Sequence, residues 1–196
     1  MASDLDRRVG TSGRVENRPR SRWIVEWAIV LLVALGLAVV LRTFVIQTYS
    51  IPSGSMIPTL MVGDRILVDK LSYHLHPVHR GDVVVFATPP KEIPILMVQD
   101  LVKRVIGLPG QRISSGPRGE VFINGQLIDQ PWLTASARAD PGPPIESQKI
   151  PAGDVFVMGD NRGSSDDSRD YGPIPESLIV GRAVLGFWPL SRIHLL

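Results

Sequence analysis

Between Arg22 and Arg42 the chain runs "WIVEWAIVLLVALGLAVVL", with Glu26 as the one charged residue. At about 1.5 Å per helical residue these positions span roughly 28 Å, close to the thickness of a bilayer core. Trp23 and Trp27 stand where an aromatic belt would lie. The pattern predicts a transmembrane helix over 23–41. A cleaved leader fits less well, because its apolar run is shorter and ends in a small-x-small site, which is missing before Tyr49. A buried core helix is the third reading. Glu26 lies one turn inside the run, within reach of the interface.

Past Thr43 the helical period disappears. Short β-rich runs follow: "RILVDKL" (65–71), "DVVVFA" (82–87), "ILMVQDLVKRVIG" (95–107), "EVFINGQLI" (120–128), "DVFVMG" (154–159) and "LIVGRAVLGFW" (178–188). Gly and Pro turns separate them, which predicts a mainly β, mostly antiparallel architecture. Asn124-Gly125 is a two-residue hairpin signal of the type I′ kind. Residues 129–149 are polar and Pro-rich and read as an exposed loop or an irregular excursion from the core. The expected organisation is a disordered tail (1–22), the transmembrane helix (23–41), a main β domain (42–110 with 159–196) and a small second domain carrying the hairpin (111–158).

The 196 residues allow one domain, or a domain with an appended subdomain. The absence of cysteine excludes disulfides, thiolate catalysis and Cys-ligated metal. A pI near 9.2 invites a nucleic-acid reading. The charge map removes it: residues 1–22 hold six Arg and three acids, a net of +3, while the remainder holds 15 bases and 16 acids, a net of −1. Basic residues beside an apolar span mark the cytoplasmic side, which would place the rest of the chain outside the cell membrane.

Candidate chemistry begins at "IPSGSMIPTL" (51–60). Gly54 permits a tight turn, and Pro52 and Pro58 stiffen its flanks. Such a turn can present a serine hydroxyl and aim backbone N–H groups at one point, the two needs of acyl transfer. The turn alone does not separate Ser53 from Ser55 as nucleophile. His74, His76 and His79 cluster in "YHLHPVHR", read as a polar loop, with a metal site or a Ser–His pair as the alternatives. Among the lysines, Lys103 differs. In a strand it shares a face with Leu101 and Val105, while Asp100, Val102, Arg104 and Ile106 point the other way. An amine among apolar side chains loses hydration of its charged form, so its pKa falls and it can serve as a base. A lysine that buries its stem and keeps its head in water is the alternative. "GDNRGSSDDSRDYG" (159–172) mixes acids with Arg162 and Arg169, which favours internal ion pairs over a solvated acidic loop or a calcium loop.

In this order, "IPSGSMIPTL", "VGDRILVDKLSY" (62–73), "GDVVVF" (81–86), "DLVKRVIGLPG" (100–110) and "GDNRGSSDDSR" (159–169) resemble bacterial type I signal peptidase, a membrane-bound serine protease that removes secretory signal peptides. The resemblance covers nearly all of 43–192. It implies Ser55 as nucleophile, Lys103 as general base, Ser53 as side-chain donor of the oxyanion hole and Ser165 as the hydroxyl that orients the lysine. It implies Asp167 and Arg169 as a supporting ion pair, with Gly159 and Asp160 in the same shell. Tyr49, Ile51, Met56, Leu60, Leu101 and Val102 would line shallow pockets for the small residues of the cleavage site. No cofactor or metal is implied. The implied partners are signal peptides, membrane lipid and, nearby, the export translocon, with no nucleic acid. Many family members carry a larger second domain than 111–158 can build. Ala135-Ser136-Ala137 and Ala137-Arg138-Ala139 resemble such an enzyme's own target, so self-cleavage after Ala137 or Ala139 is a weaker expectation. "GFWPL" (186–190) reads as the end of a core strand, with contact to lipid as the alternative.

Overall fold

The computed structural model describes residues 20–40, 45–90 and 99–196. The expected tail over 1–19, Leu41 of the expected anchor and the strand residues 95–98 lie outside the described residues. A helix, α1, spans Arg20–Val40, and all its described side chains are exposed. Its first turn takes in residues 20–22, which the sequence had suggested for the tail. Its described side chains run from Trp23 to Val39. Among the described residues no helix is long and apolar enough to cross a membrane. The helix belongs to one structural unit, and everything from the first strand onward to a second.

The second unit is antiparallel throughout. Its main sheet contains β1 (Ile46–Ser50), β2 (Arg65–Asp69), β11 (Ile179–Trp188), β3 (Val83–Ala87), β4 (Asp100–Gly107), β9 (Asp154–Met158) and β10 (Ile174–Pro175) in that spatial order, with β12 (His194–Leu195) also paired to β11. A smaller sheet holds β7 (Gln126–Leu127), β6 (Val121–Ile123), β5 (Arg112–Ser115) and β8 (Gln148–Lys149). Asn124 and Gly125 connect β6 to β7 with φ of 51° and 79°. Both values are positive, as a type I′ turn demands.

The two sheets share a core. Ile106 of β4 and Phe156 and Met158 of β9 pack with Ile113, Val121 and Ile123 of the smaller sheet. Both sheets therefore fall in one unit, and residues 154–158 pair with β4 in the main sheet. The segment 129–149 is less exposed than its composition suggests. Leu133, Ala137 and Ile145 are buried, and a short helix, Ala135–Ala139, is capped by the Thr134 hydroxyl, which accepts from the Ala137 N–H. Most of the segment is nonetheless exposed, as expected, including 134–136 and 138–140, while Ala137 faces the protein.

Candidate active site

Ile51 opens the functional turn. Its N–H donates to the Asp64 carbonyl, and the Gly63 N–H donates back to Ile51, so 51–63 closes as a loop on the end of the β1–β2 ribbon. Ile51, Met56 and Leu60 fill the core beneath it with Ile66, Val68 and Val85. This apolar footing holds Ser53-Gly54-Ser55 at the surface. Asn161 clamps the turn from across the molecule: its N–H donates to the Ser55 carbonyl and its side-chain amide to the Gly54 carbonyl, each at 3.0 Å. The Ser55 N–H has no hydrogen-bond partner among the described residues. The two hydroxyls, Ser53 Oγ and Ser55 Oγ, lie 3.4 Å apart.

The turn forms one wall of a cleft of about 460 Å³. Asp100, Leu101, Val102 and Lys103 of β4 form another wall, and Asn161, Ser164 and Asp166 a third. Tyr49, Ile51 and Met56 also line it. Burial raises the Tyr49 phenol pKa, and the Asp100 carboxylate adds to the shift. Leu60 is fully buried in the core and does not line the cleft. Its size matters there as support for the turn.

Lys103 lines this cleft although only 3% of it is exposed. It pairs in register with Val84, whose face of the sheet carries Leu101 and Val105. Among the described residues no carboxylate forms an ion pair with its amine. Burial pulls its pKa down to about 8, opposed in part by the Asp167 and Asp166 carboxylates. The Arg169 guanidinium, paired with Asp167, also favours the neutral amine.

Asp167 and Arg169 form an ion pair with both side chains fully buried. Arg169 Nε donates to Asp167 Oδ1 and Arg169 Nη2 to Oδ2, both at 2.8 Å. Asp167 Oδ2 also accepts from the Ser165 hydroxyl at 2.8 Å and from the Gly159 N–H at 2.9 Å. A second buried pair sits alongside: Arg104 Nε to Asp160 Oδ1 at 2.9 Å and Nη2 to Oδ2 at 2.7 Å. Thr59 Oγ1 donates to the same carboxylate, and the Arg104 guanidinium lies 4.7 Å from the centre of the Trp132 ring. Thr59 thereby ties the far end of the serine loop to the network.

Gly159 is where these parts meet. A Cβ there would collide with the Ser165 hydroxyl and the Ser55 carbonyl. Gly159→Ala is expected to cost about 1–3 kcal/mol, the range for overpacking a tight site; the denaturant midpoint of the variant checks it.

Sequence reasoning did not single out Asn161, the Arg104–Asp160 pair, Thr59, or Asp100 and Asp166 as wall residues. A signal existed for one of them: Arg104 sits between Val102 and Ile106 on its face of the strand, a setting that calls for a buried acidic partner. His74, His76 and His79 do not line the cleft. His74 lies in the short helix Ser72–Leu75, and His76 packs its ring against Tyr73 and His79. Among the described residues no cluster of His and acidic side chains could hold a metal ion.

Residues 24–188 match the family model for signal peptidase, peptidase S26. A probable signal peptidase I-2 of Synechocystis is 37% identical over 187 residues, covering 95% of this chain and 83% of the relative. A signal peptidase I of Bacillus caldolyticus is 37% identical over 170 residues, covering 82% of this chain and 89% of the relative. A solved signal peptidase I from Enterococcus faecalis superposes with a TM-score of 0.47 at 28% identity, over 56% of this chain and 98% of that one. The chain belongs to the signal peptidase family, peptidase S26, as a type I member.

Proposed function

We propose that the chain cleaves signal peptides from exported preproteins after small-x-small sites through a Ser55/Lys103 dyad. One observation carries the reading: a serine turn and a buried lysine that burial drives toward neutrality line a single cleft. Neutral Lys103 takes the Ser55 proton as Oγ bonds to the scissile carbonyl carbon. The Ser53 hydroxyl and the unengaged Ser55 N–H donate to the oxyanion that forms. The resulting Lys103 ammonium gives its proton to the departing amine of the mature chain. Water then attacks the acyl-enzyme, Lys103 accepts a water proton, and Ser55 Oγ is reprotonated as the signal peptide leaves. Ser165, held by Asp167, keeps lone pairs with which to orient the lysine amine. Ile51, Met56 and the β4 wall leave shallow apolar space suited to small side chains, and β-strand pairing along Asp100–Val102 would hold the peptide extended.

In this reading the whole apolar run 23–41 of the sequence anchors the enzyme in the membrane, with the basic tail cytoplasmic and the β unit outside the cell membrane. Supporting it, the Asp64 carboxylate bonds both the Met61 N–H and Arg192. The bond to Arg192 links the 61–64 turn to the 190–193 segment, and Met61, Val62, Leu190 and Ile193 are each exposed. Trp188, opposite Arg65 in register, is exposed beside them. That apolar patch would lie against lipid, where a signal peptide's apolar segment also resides. Confining both to one surface lowers the entropic cost of meeting.

The test is cleavage of a preprotein in membranes. Ser55→Ala should show no processing above background, and full processing by that variant would refute the dyad. Ser53→Ala should retain the acyl-enzyme route but lose about 10- to 1,000-fold in kcat with little change in KM, as removal of one oxyanion donor does. An unchanged kcat would remove Ser53 from the oxyanion hole.

A further inference from the structure

On the other side of the 159–169 loop lies a second cavity, of about 390 Å³. Its walls include Leu127, Leu133, Ala137 and Pro141, and Arg162 reaches it from the loop. Arg162 is only 3% exposed. Its Nε donates to the Gly159 carbonyl at 3.1 Å and its Nη2 to Gln130 Oε1 at 2.5 Å. Nη1 has no hydrogen-bond partner among the described residues, yet it is not among the fully enclosed polar atoms that lack one. The residual exposure of this side chain therefore fits an Nη1 open to the cavity. No carboxylate forms an ion pair with Arg162 among the described residues, because Asp160 is taken by Arg104 and Asp167 by Arg169. Burial lowers the Arg162 pKa, and the nearby Asp160 and Asp167 carboxylates, each bonded to another arginine, offset that loss of water only in part. A buried cation in that condition is costly unless something negative completes it.

We infer that this cavity is a binding site for a single carboxylate on a small apolar group, the chemistry of a peptide's C-terminal residue. The charges set the valence. The ionisable lining is Arg118, Arg138 and Arg162 against Glu120 and Asp129, which sums to +1. Arg118 is already bonded to Glu120, and Arg138 donates to the Gln130 carbonyl. One positive charge is left for one negative charge, and Asp129 and Glu120 oppose a doubly charged ion such as phosphate. The leucines and Pro141 would take the apolar part. Occupancy has a route to the catalytic loop: Arg162 holds the Gly159 carbonyl, its own carbonyl accepts from Arg169 Nη2 at 2.7 Å, and Arg169 holds Asp167.

The experiment is calorimetric titration of the full chain in detergent micelles, repeated in the Ser55→Ala background so that the result is independent of the peptidase reading. The probes are N-acetyl-leucine, N-acetyl-leucinamide and inorganic phosphate. Binding of the acid at about millimolar Kd, as a ligand of this size allows, with the amide and phosphate each at least about tenfold weaker, is the expected result. Arg162→Gln should abolish binding of the acid. Ala137→Leu, which fills the cavity from a helix that tolerates leucine, should do the same without touching the guanidinium network. Equal binding of acid and amide, binding of phosphate as tight as the acid, survival of binding in Ala137→Leu, or no heat at 20 mM acid, about twentyfold above that Kd, would each overturn the inference.

Discussion

Lys103→Met should abolish signal-peptide cleavage and at the same time make the protein more stable. The loss of activity should be at least about 1,000-fold, because the variant has no group to take the Ser55 proton. The gain in stability follows from linkage. The folded amine titrates at about 8, against 10.5 for an ordinary lysine. Between those values the unfolded chain binds more protons than the folded one, so stability rises with pH through that window. Below pH 8 the folded state carries the full penalty of a buried, charged amine, roughly 3 kcal/mol for a shift of this size. Methionine keeps most of the volume and removes the charge, so at pH 7 the variant should be more stable by roughly 2–3 kcal/mol. Denaturant unfolding of both proteins at pH 7 and pH 10 checks this, and the difference should shrink at the higher pH. A variant less stable than the parent at pH 7 would mean that Lys103 is held as a paired cation.

Asp160→Asn should do the opposite, with a loss of about 3–5 kcal/mol, the cost of leaving one member of a buried ion pair uncompensated. Arg104 would remain buried with a neutral amide opposite it and the Trp132 ring over its face. Thr59 would lose its charged acceptor, loosening the serine loop at its far end. The double variant Asp160→Asn/Arg104→Met should recover part of the loss, since it removes the stranded charge along with its partner. Additive effects of the two single changes would show that the pair does not act as a unit.

Of these two sites, Lys103 was legible in the chain and the Arg104–Asp160 pair was not. The longer strands were readable because alternation and Gly/Pro turns are local properties, and Asn124-Gly125 announced a hairpin whose two residues have positive φ; β1 (Ile46–Ser50) and β5 (Arg112–Ser115) lay in none of the expected runs. Lys103 stood out because Leu101 and Val105 share its face of a strand. The choice between Ser53 and Ser55 was not legible in the turn itself and came from the resemblance to a family. Asn161 could not be foreseen as the clamp on Gly54 and Ser55, because its partners lie 107 residues away in the case of Gly54. The segment 129–149 looked like solvent-exposed loop because its composition is polar, yet Leu133 and Ile145 are enough to pin it down. The same segment supplies Gln130, Trp132 and Pro141 to the arginine network, a role that depends on tertiary placement alone.

The dyad reading also fixes a pH dependence. Because only neutral Lys103 can accept the proton, kcat/KM should rise about tenfold per pH unit at acid pH and level off above a midpoint near 8. A profile flat from pH 6 to 9 would exclude the lysine as base, but a midpoint in kinetics can belong to substrate or to a change of slow step. The amine itself can be watched. Lysine labelled with ¹³C at Cε gives four positions, Lys70, Lys91, Lys103 and Lys149, and Lys103→Met identifies the signal of interest. Titrated in the folded full-length chain, the Lys103 resonance should move with a midpoint near 8. A midpoint at the ordinary lysine value of about 10.5 would show a hydrated, charged amine at rest and would contradict the account.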